Sequence, residues 1–224
     1  MTSFGSILWL SIYTALSATL LILPFSIGSA WLLARKKFPG KSFLEATIQL
    51  PLIVPPVVTG YFLLFLLGPK GIIGQYFDAI QVQIAFTWFA AVLAAAVVSL
   101  PLAVRSVRIA IDGVDPRLEE TARTLGASEW AIFRTITLPL SYRGIIAGSV
   151  LAFARSLGEF GATIVFAGNI PNQSQTIPLA IFQYINQPDG MGKAQSLVIA
   201  AIFFSYVSMF ISEWVLKKVD YAAH

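Results

Sequence analysis

Five long apolar runs separated by short polar stretches dominate this chain, at 7–34, 46–67, 84–104, 144–167 and 194–216. Each approaches or exceeds the roughly 20 residues a helix needs to cross a hydrocarbon core of about 30 Å. The pattern predicts an all-α integral membrane protein with five transmembrane helices, forming one domain over residues 1–224. The first run would measure about 42 Å as a straight helix. It is therefore expected to tilt, to kink near Pro24, or to begin as an interfacial helix. A cleaved signal is not expected, because residues 1–6 hold no Lys or Arg and the run after them is too long.

Two of the runs are interrupted. The second carries Pro51, Pro55, Pro56 and Gly60 inside membrane-length sequence. Each proline removes a backbone donor and frees an earlier carbonyl, which is tolerated at membrane depth only against protein or a watery cavity. Pro55, Pro56 and Thr59 are expected either at a broken helix beside a translocation path or at a simple packing kink. The fourth run holds Arg155 and Glu159. Twelve residues separate Arg155 from Arg143, which puts it about 18 Å into the bilayer, with Glu159 one turn farther. Buried charges cost about 2.5–3.5 kcal/mol each on insertion scales, so the two should pair along one helix face. Gly148, Ser149, Ala152, Ser156, Gly158, Gly161 and Ala162 surround them with small residues suited to close helix packing. Arg155, Ser156 and Glu159 thus either help an anion pass or pin the bundle.

The polar loop 105–143 contains the most structured polar stretch, 115–139. Asp115 is placed to cap a helix, Pro116 suits its first position, and Glu119 and Glu120 sit where the helix dipole favours negative charge. Leu118, Ala122 and Leu125 share one face, and Gly126 can end the helix with a positive φ. Ser128 then caps a second short helix bearing Trp130, Phe133 and Ile136, expected to stop or kink at Pro139. A segment too polar for lipid and too apolar on one face for water calls for a protein partner. The alternative is an amphipathic connector lying on its own bundle or on the membrane surface. Of the remaining loops, 68–83 carries no recognisable chemistry. The loop 168–193 is expected to hold a short helix over 179–185, with Leu179, Phe182 and Ile185 on one face and Asn172 and Asp189 among the residues punctuating its ends.

Charge sets the orientation. Arg35, Lys36, Lys37 and Lys41, then Arg105, Arg108, Arg117, Arg123, Arg134 and Arg143, then Lys217 and Lys218 flank one side, twelve in all; Lys70 and Lys193 are the two on the other. The positive-inside rule places the N-terminus outside and both loop 105–143 and the C-terminus in the cytoplasm. Those basic residues sit where topology needs them, so the net charge of +4 does not imply nucleic acid. The composition is 57% hydrophobic and 12% charged, about half the charged share usual in soluble domains. With no cysteine and a single histidine at the last residue, His224, no metal site and no catalytic residues are expected. There is no phosphate-loop motif, so an energised transporter of this kind would draw on another chain. An ion-gradient-driven transporter or an intramembrane enzyme would need titratable groups in the spans, where only Arg155 and Glu159 stand clearly.

The run Glu120, Thr121, Ala122, Gly126, Ile136, Leu138 and Pro139 resembles, in register, the EAA loop of ABC importer permeases, with Thr121 replacing the first alanine. The stretches L-P-L-I-V-P-P-V-V-T-G and F-A-R-S-L-G-E-F-G-A-T are similar to those of molybdate permeases, in the molybdate, tungstate and sulfate branch. The resemblance implies a type I importer permease in a bacterial or archaeal plasma (inner) membrane. It implies a pair of these chains, two cytoplasmic ATP-binding subunits and an extracytoplasmic oxyanion-binding protein. No cofactor is expected on this chain, with ATP and Mg on the partner ATPase. Leu118, Glu119, Glu120, Ala122, Arg123, Gly126 and Ala127 are then expected to engage that ATPase. The implied substrate is molybdate or tungstate, with sulfate or thiosulfate as the alternative.

Overall fold

The computed structural model describes residues 3–222, with side chains described except at 212 and 215–222. The expected charges of Lys217 and Lys218, and His224 itself, lie outside what is described. Every described element is helical: α1 (Phe4–Arg35), α2 (Lys41–Ile53), α3 (Pro56–Leu67), α4 (Gly74–Ala79), α5 (Trp88–Asp112), α6 (Pro116–Thr124), α7 (Glu129–Ile132), a π-helical turn (Phe133–Thr137), α8 (Leu138–Leu140), α9 (Tyr142–Leu157), α10 (Gly161–Phe166), α11 (Ile177–Ile185) and α12 (Met191–Ala222).

Helices α1, α5 and α12 are long and apolar enough to cross a membrane, and bent helix pairs bring the number of crossings to as many as five. The centre is a seam of α1, α5 and α9 built from small side chains. Ala15, Ala18 and Ala30 of α1, Ala90, Ala91, Ala94, Ala95 and Ala103 of α5, and Gly144, Gly148 and Ala152 of α9 are all buried. A methyl group added at Gly144 would stand 2.2 Å from Cβ of Ala110, so the two backbones already touch. Helices in lipid gain little from apolar burial and associate through such close packing, supplemented by hydroxyl bridges. Ser156 donates to Ser99 at 3.1 Å, and Ser106 donates to the Gly144 carbonyl at 3.1 Å. At the opposite end of the bundle from α6, Trp88 donates to Thr14 at 3.1 Å and the Ile177 amide donates to Ser11 at 2.7 Å.

Two runs differ from the expectation, the third and the fourth, and the second is broken rather than merely kinked. The helix begun in the third run does not end where the apolar sequence ends at Val104. With no Pro or Gly between Val104 and Gly113, it continues through Arg105 and Arg108 to Asp112. The second run is two helices meeting at 115°, because Pro55 and Pro56 lack the donors that Pro51 and Leu52 carbonyls would need for a continuous helix. The fourth run also breaks: α9 ends at Leu157, and α10 starts three residues after Gly158. In the loop 168–193, α11 forms as expected, but its faces are split. Ile177 and Ala180 are buried against α1 and α12 and Leu179 is buried as well, whereas Phe182 and Ile185 are exposed. Asn172 and Asp189 take left-handed φ of 63° and 60° at the ends of that loop, where polar side chains tolerate it best.

Candidate coupling segment and helix-break site

The segment α6 to α8 is built as its sequence dictates. Asp115 accepts from the Arg117 amide at 2.9 Å, with Pro116 in the first turn. Gly126 has φ of +87°, ends the helix in the left-handed region and has open space where a side chain would go. Ser128 accepts from the Ala131 amide at 3.3 Å and starts α7. The helix stops one residue past Pro139, at Leu140. A π-helical turn over Phe133–Thr137 precedes the proline, and the chain turns by 69° only at Ser141, between α8 and α9. Turns of this kind re-register the carbonyls, which accommodates a residue without a donor.

Helix α6 packs with its polarity inverted. Leu118 is 48% and Leu125 is 83% exposed, and Trp130 of α7 is 68% exposed. Glu119 is instead buried and points into the protein. Arg35, at the end of α1, donates through Nε to the Glu119 carboxylate at 2.9–3.0 Å, and Thr137 donates to it at 2.7 Å. The other arm of Arg35 donates to the carbonyls of Ile111 (2.8 Å) and Val114 (2.9 Å), at the end of α5. One guanidinium therefore ties α1, α5 and α6 together, a task suited to its rigid fork of donors. The expectation that Glu119 faces a partner is corrected by this burial: the carboxylate is consumed inside the chain. Glu120, Arg123 and Gly126 are exposed, and Ala122 and Ala127 are half-buried.

A second cluster lies on the surface. Glu129 accepts from Arg123 at 2.7 Å and from Lys36 at 2.8 Å, and Lys36 also lies 5.2 Å from the Trp31 ring centroid. Hydrogen bonds from Arg123 and then Lys36 hold the Glu129 carboxyl well below the usual carboxylate range, at about 2. A depressed carboxyl contributes its stabilisation above its ordinary value and loses it only as pH falls through the lowered one. The cluster is exposed, so it fixes geometry more than it adds stability.

The two helix breaks lie against each other. A methyl group at Gly161 would be 2.9 Å from Cβ of Pro56, and one at Gly60 would be 2.6 Å from the Ala162 carbonyl oxygen. Pro55 is exposed at the bend, while Thr59 is buried on α3. Glu159, 2% exposed, does not extend α9 by a turn as its spacing suggests. It lies in the break, accepting from the Ala162 amide at 2.8 Å to cap α10 and pairing with Arg155 at 2.6 Å. Oε1 is hydrogen-bonded, while buried Oε2 has the Arg155 ion pair but no aligned hydrogen bond, an arrangement consistent with the pinning role. Ser156 is turned toward Ser99. The structure thus brings Pro56, Glu159 and Arg155 to one junction, and leaves Thr59 and Ser156 in packed interfaces.

Sequence reading missed Arg35, counted only as a topology charge, and the cross-helix pair of Arg108 on α5 with Glu45 on α2. The partners are separated by 84 and 63 positions, so no local spacing signals them. The only available hint is an Arg at the last residue of a span, next to polar sequence.

A family model described as binding-protein-dependent transport system inner membrane component matches residues 6–221. The molybdenum transport system permease protein ModB of Escherichia coli (strain K12) is 52% identical over 209 residues, 93% of this chain and 91% of that one. The protein of the same name from Haemophilus influenzae is 49% identical, over 94% of this chain and 93% of its own. Among solved structures, a chain of the MetNI methionine ABC transporter, in inward facing conformations, aligns with a TM-score of 0.70 at 17% identity, covering 95% of this chain and 96% of that one.

Proposed function

The chain belongs to the binding-protein-dependent transport system inner membrane components, and from that premise we propose that it is the permease subunit of an ATP-driven molybdate importer. The observation that carries the reading is the packing of α6, which leaves Leu118 and Leu125 exposed, as Trp130 of α7 is, while α6 is anchored from within through Glu119. An apolar patch of that kind on a polar segment is a docking surface. The 52% identity to a molybdenum permease supplies the substrate, with tungstate the same in shape and charge and sulfate the competitor to be tested. In this reading the segment is cytoplasmic, the N-terminus lies outside, and two copies of the chain enclose the path. The largely uncovered apolar faces of α2 and α12 are available to lipid and to the second copy.

Import of a doubly charged anion into a negative-inside cell costs about 2.3 kcal/mol per charge per 100 mV, so it must be driven. Two cytoplasmic ATPases, carrying ATP and Mg, close around the paired segments 115–139, and that motion opens the path toward an extracytoplasmic binding protein. Release of the hydrolysis products reverses it. Leu118, Glu120, Ala122, Arg123, Gly126 and Ala127 form the contact, and Glu119 transmits the displacement to α1 and α5. The paired helix breaks at Pro56 and Gly161 provide the movable element, with Arg155 and Glu159 holding its geometry.

The test is uptake in proteoliposomes containing the chain, its ATPase and its binding protein. ATP-dependent accumulation of molybdate that excess sulfate does not abolish supports the reading; accumulation without any ATPase overturns it. Gly126→Val, which forces a β-branched residue to φ +87°, is expected to leave the protein in the membrane with ATP hydrolysis continuing and uptake lowered at least tenfold. Normal coupled uptake by that variant removes the bend from the mechanism.

A further inference from the structure

At the end of the bundle that carries α6, a recess of about 400 Å³ opens between α2 and α5. Its polar wall is Glu45 and Gln49 from α2 and Arg105, Arg108 and Asp112 from α5, over the buried residues Pro101 and Val104. Both carboxylates are drawn to the same cation: Arg108 pairs with Glu45, and Asp112 lies 3.7 Å from Arg108 Nε. Arg105 stands three residues earlier on the same helix face, lines the same recess and is exposed to it. Among the described residues no carboxylate pairs with it. The Gln49 amide beside it makes only a long 3.5 Å contact with Glu45. The recess therefore presents one guanidinium fork without a counter-ion and one loosely engaged amide, within a space ample for a small anion.

We propose that this recess is a binding site for a tetrahedral oxyanion group, with Arg105 as its charged ligand and Gln49 as a supporting donor. A guanidinium matches two oxygens of such a group through parallel, charge-assisted hydrogen bonds. Glu45 and Asp112 stand near enough to repel the anion in part, which makes occupancy brief and reversible. A permanent cation with no such offset would hold its ligand too tightly to release it. The group has two sources: the transported oxyanion on its way off the path, or the phosphate of an anionic lipid at the membrane surface. The first rests on the import reading above; the second does not.

The experiment uses the full chain co-expressed with its ATPase in lipid nanodiscs, with the binding protein omitted because it would take up the probe. In neutral phosphatidylcholine discs, equilibrium binding of labelled molybdate is measured for wild type, Arg105→Gln, Gln49→Leu and, as a charge control at the opposite end, Lys70→Gln. In discs containing phosphatidylglycerol, native mass spectrometry counts retained anionic lipid. Arg105→Gln is expected to weaken one of these at least tenfold and Gln49→Leu about threefold, with Lys70→Gln unchanged. Loss of molybdate binding assigns the site to the transported ion, and loss of phosphatidylglycerol alone assigns it to lipid. Wild-type behaviour of Arg105→Gln toward both probes, or no binding of either probe to wild type, overturns the proposal. Gln49→Leu gives the same reading should Arg105→Gln fail to assemble. ATP-driven uptake by reconstituted samples, with the binding protein restored, separates the two ideas. Intact uptake without a site defeats this inference only, and a site without uptake defeats the import reading.

Discussion

Arg35→Gln is expected to cut ATP-driven uptake at least tenfold while the protein still inserts and still binds its ATPase. The change removes a side chain of α1 that holds the Glu119 carboxylate of α6 at 2.9 Å, the Ile111 carbonyl of α5 at 2.8 Å and the Val114 carbonyl just beyond α5 at 2.9 Å. The side chains of the pair are only 16% and 8% exposed, so glutamine leaves Glu119 with a poorly compensated charge. Breaking one half of a buried ion pair costs about 3–5 kcal/mol. Displacement of α6 by a partner would then no longer reach α1 and α5. Two measurements check this: the ratio of ATP hydrolysed to molybdate accumulated should rise, and the thermal midpoint should fall. The double variant Arg35→Met with Glu119→Leu separates stability from transmission. Removing both charges should recover much of the lost stability, since an apolar pair of similar volume is often as stable as the ion pair it replaces. Uptake should stay low if the tie is mechanical. Full uptake by the double variant would show that the strut serves only folding.

Gly60→Val is expected to abolish uptake and to destabilise the α3–α10 junction by more than the roughly 1–3 kcal/mol typical of overpacking. The added Cβ would lie 2.6 Å from the Ala162 carbonyl oxygen and 2.7 Å from its Cα. Both atoms are backbone, so no side chain can swing away to make room. Glu159 caps the same first turn of α10, and moving that turn would also disturb its pair with Arg155. Gly28→Ala in α1 is the control, because nothing lies within 4 Å of a methyl group there. It should be neutral or slightly stabilising, as helix propensity predicts. Size-exclusion profiles and thermal midpoints in detergent read stability, and uptake reads function. A Gly60→Val protein that transports normally would mean that the two breaks are not packed together in the working assembly.

The sequence made the apolar helices of the bundle readable because each apolar run is long and its flanks are charged. It also revealed a break near Pro55, since three prolines cannot be absorbed silently into one helix. The bend of 115° was beyond reach, because its size depends on where α3 packs against α10 rather than on local chemistry. The break at Gly158 was hidden for a specific reason. Arg155 and Glu159 stand at i,i+4 spacing, which reads as a continuous helix, yet the same two side chains meet across the start of a new one. Glu119 was misplaced on similar grounds. Its position near a helix N-terminus is satisfied equally well by solvent, by a partner or by a buried arginine, and only the tertiary structure brings Arg35 to it. The apolar face of α6 was legible as a surface in need of a partner, and the structure leaves Leu118 and Leu125 uncovered.

The depressed carboxyl of Glu129 bears on how this segment meets acid stress. Acidification by a unit or two protonates exposed imidazoles and so switches on their positive charge. Residues 115–139 contain no histidine, and the acid clamped between Arg123 and Lys36 keeps its charge down to about 2. That clamp gives a falling pH no purchase on the bend between α6 and α7.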